Sequence, residues 1–124
     1  MPKRIFVAFA IEDKTQRDFL KGQSLLGTSP FEYVDMSVKE PWKEDWKTQC
    51  RSRIRGCNGA IALLSKNTLT ATGAKWEIKC AIEEGKPILG VWAYRNDSSV
   101  PEEMKGKKVV PWTWDAIKTF INSL

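Results

Sequence analysis

A chain of 124 residues, 42% hydrophobic and 28% charged, has the size of one domain with one core and no apolar run long enough to cross a membrane. The net charge of +5 admits an anionic partner such as a nucleotide. The basic residues are scattered, however, and the short clusters RSRIR and KGKK read as solvated faces, so neither nucleic acid nor a membrane is an expected partner. Histidine is absent, which excludes a Ser–His–Asp arrangement and leaves any cysteine nucleophile without its usual base.

Residues 4–9, RIFVAF, are apolar and β-prone and predict a first strand. The basic-then-apolar start resembles a weak secretion signal, but the run is short and continues into IEDK, so a buried strand and a cytoplasmic protein are the expectation. Asp13 is placed to cap a helix through EDKTQRDFLKGQSLL with Phe19, Leu20 and Gln23 along one side, and GTSP then breaks the chain. FEYVDM, 31–36, alternates as a second strand. Beyond the polar loop SVKEPWKED, the four-residue spacing of Trp42, Trp46, Cys50 and Ile54 predicts one helix face ending near Arg55.

AIALLS, 60–65, is a continuous apolar run typical of a fully buried strand. After the loop KNTLTATG, residues 74–85 predict a helix with Ala74, Ile78, Ala81 and Ile82 inward, Glu77 in its first turn and Gly85 as its stop. KPILGVW predicts a strand, 93–108 an exposed loop, VVPW a short strand and DAIKTFINSL a helix with Ile117, Phe120, Ile121 and Leu124 inward. This alternation implies an α/β, flavodoxin-like three-layer sandwich. Its five-stranded parallel sheet, in order 2-1-3-4-5, has helices on both faces, and residues 1–124 form one domain. Cys50, Cys57 and Cys80, an odd number without metal-ligand spacing, read as small buried apolar residues, and no metal is expected.

Ligands of such sheets bind beyond the carboxyl ends of the strands, which points to residues 9–13, 35–46 and 65–77. FAIEDKT lacks the glycine of a phosphate-binding loop. A response-regulator receiver needs an aspartate at the end of the third strand, where this chain has Ser65. What remains is a carboxylate beside an aromatic residue, Glu77 and Trp76. Taken alone, that pair reads first as an acidic group favoured by the helix dipole with a packing tryptophan, and only second as a site.

The stretch GAIALLSKNTLTATGAKWEIKCAIEEGKPILGVW resembles the central segment of TIR domains, and especially the small prokaryotic TIR-like proteins found in Thoeris anti-phage defence. KRIFVAFAIED, FEYVDMSV and CRSRIRGCNGAIALLS are similar to the preceding strands, loop and helix of that family, so the resemblance runs to about residue 93. Two positions depart. Relatives commonly carry a small polar residue where Ala10 stands, and many place a tryptophan a few residues before the glutamate, here within TGAK.

The resemblance implies an enzyme that cleaves NAD between nicotinamide and ribose, with NAD as substrate and no cofactor. Its ADP-ribose-derived product, in some relatives cyclic, would be a nucleotide signal to a separate effector protein. It places Glu77 as the catalytic carboxylate and implies self-association through the loop after the second strand. Phe9, Ala10, Asp13, Ser37, Lys39, Trp42, Ser65 and Trp76 are the candidate substrate contacts. Phe9 would stack on a flat ring, Lys39 or Lys43 would meet the pyrophosphate, and Trp42 would cover a base, though it also falls on the predicted helix face. The alternative is an adaptor that assembles through the same loop without chemistry.

Overall fold

The computed structural model describes residues 2–25 and 31–124. Five parallel strands run β1 (Lys3–Ala8), β2 (Phe31–Val34), β3 (Gly59–Leu64), β4 (Ile88–Trp92) and β5 (Val109–Pro111), in the sheet order β2-β1-β3-β4-β5. Four α-helices connect and follow them: α1 (Lys14–Ser24), α2 (Glu44–Arg55), α3 (Thr72–Glu83) and α4 (Trp114–Asn122). The expected order 2-1-3-4-5 and the flavodoxin-like layering are therefore found. The break expected at GTSP lies outside the described residues.

The two-residue period of the strands builds two cores. Ile5, Val7, Ile61, Leu63, Leu89 and Val91 face Leu20 of α1 and Ile117 and Ile121 of α4. Phe6, Ala8, Ala60, Ala62 and Leu64 face Trp46, Cys50 and Ile54 of α2 and Ile78 and Ala81 of α3. Small side chains dominate this second face, which lets α3 lie close to β1 and β3. Both faces of β3 are filled, which explains its unbroken apolar run.

Several elements differ from expectation. Phe19 is exposed while Leu20 beside it is fully buried, because α1 meets the sheet along a narrow stripe. Trp42 is 73% exposed, since α2 begins at Glu44 and Pro41–Trp42 form a turn before it. The four-residue spacing thus extends to Trp42, two residues before the helix begins. Phe120, Ile82 and Leu124 are half-buried.

The 93–108 segment is more than an exposed loop. Trp92 donates through Nε1 to the Ser99 carbonyl at 3.2 Å, and the Lys66 amide donates to Asp97 at 2.7 Å. Met104, on the short 3₁₀ turn Glu102–Met104, is buried against the core beside α3. Gly90 makes room for it: a Cβ there would stand 3.0 Å from the Met104 methyl and 2.9 Å from Val109.

Cys50, Cys57 and Cys80 are free and buried. Burial pushes all three thiols up, Cys57 to about 11. All three are expected to stay unmodified by a chromogenic disulfide reagent in native buffer and to react once urea unfolds the chain. Rapid labelling of the native protein would contradict this packing.

Candidate functional site

The carboxyl ends of β1 and β3, the loop after β2 and the start of α3 converge at one rim. Glu77 sits there, but in the second turn of α3, because the helix begins at Thr72 and not at residue 74. A dipole-favoured place in the first turn therefore does not explain it. The extension was hidden in TATG, where Gly73 lowers helix propensity. Gly73 has a packing reason: a Cβ at that position would lie 3.3 Å from the Cβ of Lys39, so glycine seats the Lys39 stem against the helix.

The Glu77 side chain is 0% exposed. Lys39 Nζ donates to both of its carboxylate oxygens, at 2.9 Å to Oε1 and 2.7 Å to Oε2. Burial pushes the Glu77 carboxyl up to about 7. Lys39 and the Phe9 amide pull it back down, and Asp35 adds a smaller upward push. The Lys39 ammonium also lies 3.9 Å from the centroid of the Phe9 ring, and the Arg17 guanidinium lies 4.8 Å from it. Arg17 in turn donates to Asp35 at 2.7 Å, and Tyr33 donates its hydroxyl to the same oxygen at 2.7 Å. The sequence singled out Phe9, Lys39 and Glu77 separately. The fold brings all three together.

A cleft of about 160 Å³ opens beside this group, lined by Phe9, Ala10, Lys39, Pro41, Trp42 and Gly73 among others. Trp42 stands at it as an exposed indole. Glu77 does not line it, because Lys39 lies between.

Asp13 and Ser65 lie beneath the rim and bond to each other. Asp13 begins α1 without capping it. Its fully buried carboxylate instead accepts from Ser65 Oγ at 2.6 Å, Asn67 Nδ2 at 3.0 Å and the Tyr94 hydroxyl at 2.9 Å. Ser65 also caps the 3₁₀ turn Lys66–Thr70 in a reciprocal pair with Thr68. Asp13 thus ties β1, β3 and β4 together at their carboxyl ends. Asp13→Ala is expected to cost about 3 kcal/mol by stranding these donors, read from urea unfolding. A change below about 0.5 kcal/mol would refute this bracing role.

Ser37 is exposed and donates to Asp35 at 3.2 Å, away from the cleft. Trp76 packs edge-on against Trp46, centroids 5.5 Å apart, with Arg51 over its ring. Its indole belongs to the α2–α3 contact and does not line the cleft. Arg17, Asn67 and Tyr94 were missed by sequence reasoning. The four-residue step from Asp13 to Arg17 was the only available hint, and Asn67 and Tyr94 gave none.

Among the described residues no cluster of side chains suits a metal ion, and no helix is long and apolar enough to cross a membrane. Residues 6–98, well over half of the chain, match the family model described as Thoeris protein ThsB, TIR-like domain. No curated protein matches the chain significantly.

Proposed function

Because the chain belongs to the TIR-like domain family of the Thoeris protein ThsB, we propose that it processes NAD by cleaving the bond between nicotinamide and ribose, with Glu77 as the catalytic carboxylate. One observation carries this reading. A fully buried carboxylate, paired with a lysine whose ammonium also meets an aromatic ring, stands at the carboxyl end of the sheet behind a cleft. Burying a carboxylate is costly even when it is paired, and buried acids with a raised titration mark functional sites more often than ordinary surface acids do.

The chemistry suits the residues. The nicotinamide of NAD is already cationic and departs neutral, so no general acid is required and the lack of histidine is no obstacle. The bond that breaks leaves positive charge on the ribosyl carbon and its ring oxygen. An ionised Glu77 against the ribose stabilises that charge as it develops. Phe9, whose ring now meets the Lys39 ammonium, would offer a face to a flat cation once Lys39 withdraws, and Trp42 at the open side of the cleft would cover a base. Lys43 is the more exposed lysine for the pyrophosphate, paired with Glu40 at the surface, whereas Lys39 is held in the interior by Glu77. In this reading residues 1–124 act as one domain, whose loop 36–43 also meets a second copy. The ADP-ribose-derived product, linear or closed into a ring, is the signal to a separate effector.

A specific observation also favours the second reading. Lys39 closes over Glu77, as suits an adaptor whose carboxylate only fastens the loop. Incubation of concentrated protein with NAD, followed by chromatography, separates the two. Free nicotinamide supports the enzyme, and the mass of the second product distinguishes linear from cyclic ADP-ribose. No nicotinamide at any protein concentration supports the adaptor.

A further inference from the structure

We propose that Lys39 is an internal competitor for the cationic end of the substrate, its ammonium standing where the pyridinium or the developing ribosyl cation has to stand. This deepens the reading of Glu77 as the ribose-facing carboxylate and rests on it. Three observations carry the inference.

First, the Lys39 ammonium occupies a complete cation site. Both Glu77 oxygens lie within 2.9 Å and the Phe9 ring centroid within 3.9 Å. A carboxylate plus an aromatic face is the chemistry that would hold a pyridinium. Second, the space is too small as it stands. The cleft of about 160 Å³ is well below the roughly 300 Å³ at which small-molecule pockets begin. The Lys39 side chain, 10% exposed, fills the gap between that cleft and the carboxylate. Third, Lys39 belongs to a segment without regular secondary structure, the stretch between β2 and α2. The segment is fastened by side-chain bonds such as that from Trp46 Nε1 to the Val38 carbonyl. Moving Lys39 outward breaks no strand or helix.

Removing Lys39 leaves a buried carboxylate that either takes up a proton or, once ionised, accepts a ligand that brings a cation. The exchange is therefore selective. It admits the oxidised, cationic nicotinamide and disfavours the neutral dihydronicotinamide or a product that has lost the ring. Lys39 thus acts both as a latch on the free chain and as a filter for charge.

The test uses 1-methylnicotinamide, a permanent cation, with neutral nicotinamide as control. Affinity is measured by calorimetry at about pH 9, which favours the ionised form of Glu77, and thermal melting gives a second readout. Lys39→Ala is expected to bind the cation at least about tenfold more tightly than the wild type, because the ligand no longer has to displace an ion pair from its site. The neutral ring should show no such gain, and the double variant Lys39→Ala/Glu77→Gln should lose it. Equal binding to wild type and Lys39→Ala, binding to neither, or undiminished binding to the double variant would each overturn the proposal. Should the alanine variant not fold, Lys39→Val, whose short stem still covers Gly73 but stops short of Glu77, carries the same comparison. Nicotinamide release from NAD, measured on the wild type alongside, separates the two ideas. Cleavage without a cation gain removes the latch and leaves the activity. A cation gain without cleavage removes the activity and leaves a cation site.

Discussion

Glu77→Gln is expected to lower nicotinamide release from NAD by about 10²–10³-fold, the usual loss when one preorganised electrostatic contact to a transition state is removed. Glutamine has nearly the shape of glutamate, so the fully buried space at Glu77 stays filled and Ile78 and Ala81 keep their packing. Only the charge goes. Lys39 loses its ion pair but keeps the Phe9 ring and a short path to solvent. Initial rates at saturating NAD, beside a melting curve that shows the variant folded, check this. A folded Glu77→Gln that releases nicotinamide at the wild-type rate would remove Glu77 from the reaction. The same role fixes a pH dependence. The useful form is the ionised one, and burial raises the carboxyl to about 7, so the wild-type rate should climb as pH rises through that value. A flat profile between pH 6 and 8 in a chain that cleaves NAD would assign the stabilising charge to another group.

Lys39→Ala is expected to produce the largest loss of stability, about 3–5 kcal/mol at pH 8, because it strips a buried carboxylate of the one cation that, among the described residues, lies within hydrogen-bond reach. The loss should shrink toward pH 5. Glu77 holds its proton more tightly in the folded chain than the ordinary value of 4.5, so the folded state binds more protons across that interval. Its contribution to stability is therefore present below about 4.5 and disappears as pH rises through about 7. Without Lys39, which holds the carboxyl down, the folded value moves higher still and the alkaline penalty grows. Urea unfolding of both proteins at pH 5.5 and pH 8 checks the sign. An equal loss at both values would mean that Lys39 acts through the packing of its stem on Gly73 and not through its charge.

The sheet order was legible because β1, β3 and β4 are short apolar runs separated by helical patterns, and right-handed crossovers leave few ways to arrange them. Trp46, Cys50 and Ile54 announced α2 by spacing alone, since nothing competes with a buried stripe every fourth residue. The family was legible in the Trp-Glu-Ile and Gly-Lys-Pro-Ile stretches, which are local strings and survive without coordinates.

Element ends were less legible. Trp42 continues the helical spacing but precedes the helix, and α3 starts at Thr72 through a glycine that a propensity argument rejects. Both errors arise because a boundary is set by what a residue packs against. At Gly73 that is the Lys39 stem, which belongs to a distant loop.

The sequence by itself thus determined the layers, the buried strands, the family and the candidacy of Glu77, because these depend on periodicity and on residues adjacent in the chain. Only the tertiary structure decided what Glu77 and Asp13 face. Lys39 reaches Glu77 across 38 positions, and Tyr94 reaches Asp13 across 81. Periodicity carries no information about such pairs. A carboxylate at the rim can meet water, a substrate or a lysine, and the choice depends on how far one loop folds over the sheet.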